Sequence, residues 1–463
     1  MRRNLALAAA CAASLIVVQS ASAQFTLTAS TAFGGGDGWR SPLEVLTGDT
    51  AGTAGGTGYN YLGAGNLERG FAFNPVTGNL VLVSRSTAGN GIRVLSGSTG
   101  LDIGFMNQGT AIIAGGTFST NMTAIGADGA VYVANLQAVQ ASPTRIYRWE
   151  NESAAAPTVF FSASSNLPRV GDSFDVTGSG ASTLAVLSGG GSFGYSVIDS
   201  TGAVNTVTNF NGAAINTGAF RLGITFAGTA NDVWGKQTSS PLAISNYNSG
   251  GNATLSATDL SANGGAAGET ALDYAMIGGK PYLATIDANN SSVRIYDVTD
   301  PALPVKVAEG RSIPTGTILS GNGNGTASIK WGTINEATGL ATIYAMSTNQ
   351  GIQALTFSFP TAPSFIKGDF NFDGEVLDSD ISLFVSALTG DFASLLAQFP
   401  TRTEADFTFI GDFNGDGEVL DSDITGFVAA LLGGGGRVAA IPEPAALGLI
   451  APMGLLLARR RRA

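Results

Sequence analysis

The chain has 463 residues, 64 of them glycine and only 12% charged; this is too long for one ordinary core, and the composition excludes a helical bundle in favour of short strands joined by tight turns. Histidine is absent and Cys11 is the only cysteine, which excludes Ser-His-Asp and Cys-His catalysis and any zinc or iron held by His or Cys. The formal charge of −11 is uneven: Gly368 to Gly435 holds 13 acids against one base, Arg402, whereas residues 24–367 hold 20 acids and 15 bases. Hard cations are therefore the expected partners of the acidic segment, and nucleic acid is not.

Residues 1–23 begin Met1-Arg2-Arg3, run through an apolar stretch from Leu5 to Val18 and end Ala21-Ser22-Ala23. A positive start, a short apolar centre and small residues at the end are the parts of a secretory signal peptide, with cleavage after Ala23. A membrane anchor is the alternative. A chain cleaved there has no cysteine, so its stability cannot depend on disulfides.

Residues 24–362 show no sustained helical periodicity. Short apolar, β-branched runs recur between Gly, Asn, Asp and Ser, as in GFAFNPVTGNLVLVSRS from Gly70 to Ser86 and MTAIGADGAVYVANL from Met122 to Leu136. Units starting near 70, 122, 173, 222, 272 and 329 give a period close to 50, with three or four strands each. That grammar predicts a mainly β fold, a β-propeller of six to seven blades, over a sandwich or solenoid. The stretch from Phe25 to Leu46 supplies either closing strands or a seventh blade.

Candidate catalytic acids in this segment are Asp172, Asp175, Asp232, Asp273, Asp287, Asp297 and Asp300. A glycosidase needs two of them facing across a sugar, while Asp at such positions more often caps turns. Trp39, Trp149, Trp234 and Trp331 could stack on sugar rings or lie half-buried in strands.

Residues 363–435 contain a duplication, DFNFDGEVLDSDI from Asp369 and DFNGDGEVLDSDI from Asp412. Side-chain oxygens fall at loop positions 1, 3, 5 and 12: Asp369, Asn371, Asp373 and Asp380, then Asp412, Asn414, Asp416 and Asp423. Gly374 and Gly417 occupy position 6, where the chain turns with positive φ. Glu375 and Glu418 at position 7 offer backbone carbonyls. An all-oxygen loop of this spacing is built for Ca²⁺. Each loop leads into a helix with one apolar stripe, Ile381, Phe384, Val385, Leu388 and Ile424, Phe427, Val428, Leu431. No helix is evident before either loop, which makes them half-hands, and Phe370 and Phe413 are expected to pack on the opposite repeat.

These repeats, with the Phe399-Pro400 pair between them, resemble type I dockerin repeats of planctomycete-like secreted proteins. The resemblance implies a small α module of paired half EF-hands, calcium-dependent docking to a cohesin-like protein partner, and company with polysaccharide-degrading complexes. Leu377 and Leu420 stand at position 9 where the family has Asn or Asp, and the spacer is longer. Asp378-Ser379 and Asp421-Ser422, at the positions that help choose the partner, are identical between copies, which implies that either face could dock.

Residues 436–463 contain Ile441-Pro442-Glu443-Pro444, an apolar stretch from Ala445 to Ala458 and four arginines, Arg459 to Arg462. This order resembles the PEP-CTERM sorting signal of Gram-negative bacteria, and implies exosortase processing and delivery to the cell surface or extracellular matrix after transient membrane association. The stretch is short for a span of roughly 20 residues; a plain C-terminal membrane helix is the alternative. The chain thus reads as an exported surface or matrix protein with a propeller for binding and a calcium-dependent docking module. A carbohydrate-active enzyme carrying a dockerin, working through carboxylates as a glycoside hydrolase or lyase, and a structural calcium-binding adhesin are the alternatives.

Overall fold

The structure, a computed structural model, describes residues 25–50, 61–85, 91–140, 142–190, 194–212, 218–248, 252–317, 319–361, 365–400 and 402–433. The leader expected over 1–23 and the sorting segment expected over 436–463 lie outside the described residues. The chain divides into two compact units, Met1–Thr361 and Ala362–Ala463. Among the described residues no helix is long and apolar enough to cross a membrane.

The first unit is a six-blade β-propeller. Its blades are six antiparallel sheets whose inner strands are Glu68–Phe73, Phe118–Ile125, Val170–Thr177, Gly223–Ala227, Glu269–Ile277 and Ala327–Asn335. These strands include or adjoin every start in the 50-residue period. Consecutive inner strands touch, and the sixth touches the first, so the ring is closed. A further strand, Asn209–Gly212, joins the outer edge of blade 4 in parallel with Asn252–Thr258.

The apolar runs are continuous, not alternating, because each blade lies between two others and buries both faces. In the second strand of blade 1, Leu80 and Leu82 pack with Tyr344, Met346 and Ile352 of blade 6. Their neighbours Val81 and Val83 point the other way and pack with Val131, Val133 and Trp149 of blade 2. In blade 2, Tyr132 and Ala134 then meet Phe174 and Leu187 of blade 3. The period-2 geometry of a strand thereby deals alternate residues into two different cores.

The segment left open between a seventh blade and a closing strand is a closing strand. Thr26–Ala29 forms the outer edge of blade 6, with Leu27 opposite Phe357 and Thr28 opposite Thr356. The short strand Trp39–Arg40 pairs with the same partner, Trp39 opposite Gln353. The last blade is therefore made from both ends of the unit.

The second unit is α-helical: α1 Asp378–Leu388, α2 Phe392–Gln398, α3 Glu404–Gly411 and α4 Ile424–Gly433. Thr403 and Asp406 form a reciprocal cap at the start of α3. Contrary to expectation, a helix does precede the second loop, since α3 runs directly into Asp412; among the described residues the first loop has no entering helix. The core is aromatic, and the Phe384 and Phe427 rings of the two repeats stack at 4.0 Å between centroids. Phe370 packs on Phe427 of the opposite repeat at 6.2 Å, whereas Phe413 meets Phe427 of its own.

The expected stripes are only partly inward. Phe384 and Phe427 are buried, but Ile381, Val385, Ile424 and Val428 are exposed.

Neighbouring inner strands approach so closely that glycine is needed at the contact. A Cβ on Gly223 of blade 4 would lie 2.0 Å from the Thr270 carbonyl oxygen of blade 5. Gly223→Ala is therefore expected to destabilise the propeller by about 1–3 kcal/mol through overpacking. Thermal denaturation checks this, and an unchanged midpoint would disprove the inter-blade contact.

Candidate functional site

The ring of inner strands has two mouths, each with a cavity, and they differ in chemistry. The later residues of each inner strand line one mouth, a solvent-open cavity of about 430 Å³ bordered by Asp175, Thr225, Asp273, Tyr274, Lys330 and Trp331. Here Asp175 of blade 3 and Asp273 of blade 5 converge on Lys330 of blade 6, with Nζ to Oδ1 distances of 3.1 and 2.8 Å. The other oxygen of each acid is also engaged. Asp175 Oδ2 accepts from Phe226 N at 3.0 Å and Thr225 Oγ1 at 2.8 Å, and Asp273 Oδ2 accepts from Trp331 N at 2.8 Å.

Two carboxylates share one ammonium, which leaves one excess negative charge. Burial, with Asp175 nearby, pushes Asp273 up to about 6 against the pull of Lys330. Lys330 itself is held well above the ordinary lysine range, because the two acids outweigh the desolvation that opposes its charge.

Of the remaining candidate acids, Asp172 faces the opposite mouth. Asp287, Asp297 and Asp300 cap turns, accepting from Asn289 N, Thr299 N and Ala302 N. Asp232 bonds Thr229 Oγ1 and Asn246 on the surface. Trp149, Trp234 and Trp331 are buried, and the half-buried Trp39 donates its Nε1 to Gln350 O at 2.7 Å. None of the four is an exposed platform. Sequence reasoning missed Lys330, whose signal was a lone lysine inside the apolar run of an inner strand, and missed the arginines of the second mouth altogether.

In the second unit the two acidic loops share one hydrogen-bond scaffold. Asp380 and Asp423 at position 12 are fully buried. Asp380 Oδ1 accepts from Phe370 N and Asn371 N, and its Oδ2 from Leu377 N, at 2.7 to 2.9 Å. Asp423 repeats this with Phe413, Asn414 and Leu420. Asp369 Oδ2 accepts from Gly374 N and Asp412 Oδ2 from Gly417 N, both at 2.9 Å. The two glycines turn with φ of 95° and 90°, as position 6 requires.

Asn371 and Asn414 bridge to Asp373 and Asp416. Glu375 and Glu418 keep exposed side chains and donate their backbone N–H to those same two acids. Burial, with Asp380 and Asp373 adding to it, pushes the Asp369 carboxyl up from its usual range.

Convergence is closest in the second loop, where carboxylate oxygens of Asp412, Asp416 and Asp423 lie within 4.8 Å of one another. An all-oxygen donor set of this kind fits a hard divalent cation and suits no softer metal. The one sequence difference between loops has a structural counterpart. Phe372 holds φ of 59° where Gly415 has 79°; its ring is retained against Phe399, Phe407 and the Arg402 guanidinium.

No family of known proteins has a sequence model that matches the chain, and no curated protein matches it. Among solved structures it is similar to a DUF4623 family protein from Bacteroides eggerthii, at 17% identity over 64% of this chain and 71% of that one, TM-score 0.48. It is also similar to a gluconolactonase from Xanthomonas campestris, at 11% identity over 65% and 87%, TM-score 0.40. The WD40 domain of Toxoplasma gondii coronin aligns at 13% identity over 63% and 70%, TM-score 0.37.

The charge balance at Lys330 has a pH signature. The raised Asp273 pKa favours the folded state fully below its unfolded value of about 3.9, and that contribution is lost as pH rises through about 6. Removing the ammonium leaves two buried carboxylates uncompensated whenever they are ionised. Lys330→Met is expected to cost about 3–5 kcal/mol at pH 7 and markedly less at pH ~4, where protonation relieves the repulsion. Denaturant titrations of wild type and variant at both pH values test this; a gap independent of pH would refute the shared-charge reading.

Proposed function

We propose that the chain is a non-catalytic, exported binding protein of the cell surface or matrix. In this reading the propeller takes a ligand and the C-terminal unit docks to a protein partner when its loops hold Ca²⁺. The observation that carries it is the twin scaffold: the same backbone N–H to carboxylate pattern in both loops, with Asp412, Asp416 and Asp423 drawn together in the second. The ligands would be Asp369, Asn371, Asp373, the Glu375 carbonyl and Asp380, and in the second loop Asp412, Asn414, Asp416, the Glu418 carbonyl and Asp423. Calcium, when bound, supplies the positive charge that offsets the converging carboxylates. The chain's own part is to hold Asp380 and Asp423 rigid through three N–H donors each, so that the loop is tied to the helix that follows.

The exposed apolar residues give docking a surface. Leu377, Ile381 and Val385 in one copy, and Leu420, Ile424 and Val428 in the other, are all at least 39% exposed, and they occupy equivalent positions. Such paired apolar faces suit a protein partner. The propeller supports the non-catalytic reading in that every oxygen of Asp175 and Asp273 is engaged by Lys330, a hydroxyl or a backbone N–H. A hydrolase acting on a polysaccharide would need one carboxyl free to protonate and a second free to attack or to activate water.

Calorimetric titration of the full chain with CaCl₂ is expected to show two binding events and a gain of helical signal that chelator reverses. The double variant Asp373→Ala, Asp416→Ala is expected to lose both. Heats and spectra that do not respond to calcium would end the docking proposal, whereas calcium binding without any captured protein partner would favour a structural adhesin.

A further inference from the structure

The mouth of the ring opposite Lys330 is built from arginine. Arg69 on the inner strand of blade 1, Arg85 after its second strand, and Arg169 and Arg221 just before the inner strands of blades 3 and 4 line a cavity of about 260 Å³. One acid, Asp172, shares the lining, and it is fully engaged. Arg169 grips it in a fork, Nε to Oδ2 at 2.7 Å and Nη2 to Oδ1 at 2.6 Å, and Arg221 Nε donates to Oδ2 at 3.0 Å.

Among the described residues no carboxylate makes a direct ion pair with Arg69 or Arg85, although Glu68 and Asp172 attract Arg69, and Asp172 attracts Arg85, at longer range. Arg69 is only 7% exposed. Its terminal nitrogens donate to Thr326 Oγ1 at 3.1 Å and Asn66 O at 2.7 Å, and its Nε is buried without any acceptor. Arg85 donates to Asn121 Oδ1, lies 3.5 Å over the Phe118 ring, and also has a buried Nε without an acceptor. The neighbouring acid Glu68 does not line the cavity; its Oε1 accepts from Gly63 N, and burial pushes its carboxyl up toward the neutral form. The internal segments outside the described residues contain no Asp or Glu, so no acid can come from them.

A guanidinium stays protonated in a protein, and burying one without a counter-charge is costly. Here several lie together. Burial, then the repulsion of Arg69 and, more weakly, of Arg169, pulls Arg85 well below the usual arginine range against the attraction of Asp172. Buried unpaired donors, excess positive charge and a cavity near the roughly 300 Å³ lower bound of small-molecule sites have one common complement, a compact group with several acceptor oxygens.

We propose that this mouth binds an oxyanion, a carboxylate, sulfate or phosphate group free or carried on a molecule of sugar size, held by Arg69 and Arg85 with Arg221 at the rim. The planar forks of the guanidinium suit such groups in a bidentate manner. Asn121 and Thr326 keep the two central arginines in place. The inference rests on the reading of the propeller as a binding domain and does not involve the calcium loops.

The test is calorimetry on the full chain with sodium sulfate, inorganic phosphate and sodium glucuronate, with glucose as the neutral control and ionic strength held constant with NaCl. At least one oxyanion is expected to bind, glucose is not, and affinity should fall as NaCl rises. Arg85→Met and Arg221→Gln, checked for an unchanged circular dichroism spectrum, are each expected to weaken binding about tenfold, in keeping with loss of a charge-assisted hydrogen bond. Should one variant fail to fold, the other decides. Tighter binding of glucuronate than of the inorganic ions assigns the site to acidic sugars, and the reverse order assigns it to free anions. Absence of binding by all three, or equal affinity in the folded variants, overturns the site. Consumption of glucuronate during the titration would instead overturn the non-catalytic reading and leave the site standing.

Discussion

Six inner strands that each have one unpaired edge toward a central axis set the terms for everything else in the propeller. A buried N–H without an acceptor is costly, and among the described residues the inner strands do not form ladders with one another, with Val170 bridging to Gln137 of blade 2 as an isolated backbone contact. Side chains from the adjacent blade accept instead. Ser173 accepts from Ile224 N, Asp175 from Phe226 N, Asp273 from Trp331 N and Ser328 from Phe71 N. These contacts join blade 3 to 4, 5 to 6 and 6 to 1. Two of the acceptors are carboxylates, and so the centre of the ring contains charge for architectural reasons before any ligand is considered. Lys330 follows from that choice, as the cation that makes the paired acids tolerable.

The fold was legible wherever burial imposes a period. Apolar runs such as NLVLVS at Asn79–Ser84 announced strands buried on both faces, and their recurrence near every 50 residues announced repeated blades. The turns of the acidic loops were equally plain, because carboxylates and amides at alternate positions and a glycine at the turn leave little conformational freedom. What stayed hidden depends on residues distant in sequence. Nothing local to Lys330 names Asp175 as its partner 155 positions away, and arginines scattered from Arg69 to Arg221 look like ordinary surface charge. The helix before the second loop escaped notice because it is only eight residues long and its Phe407-Thr408-Phe409-Ile410 run has the aromatic, β-branched character of a strand. The outward turn of Ile381 and Val385 was also hidden, since periodicity marks a stripe without saying how much of it the core covers.

Charge in the propeller is separated along its axis. One mouth carries acids in excess of the lysine they share, and the other carries four guanidinium groups around a single acid that only Arg169 and Arg221 engage. A molecule approaching one mouth therefore meets a field opposite to that at the other. The second unit has a different economy, in which acids are concentrated in two loops and the core is nearly all phenylalanine. The acids crowded into those loops are also the groups that shape them, through the backbone N–H donors they collect.

The last blade also sets an order of events. Its outer strand, Thr26–Ala29, is among the earliest parts of the propeller to leave the ribosome, and its partner Ile352–Ser358 is among the last. The five preceding blades can pair within themselves by local hairpins, but the ring cannot be clasped until nearly all of the unit has been synthesised. Such a far-separated pairing is slow to form, and until it does the inner edges of blades 1 and 6 stay open. The ring thus stays unclasped for most of the synthesis of the unit and closes only when its two ends meet.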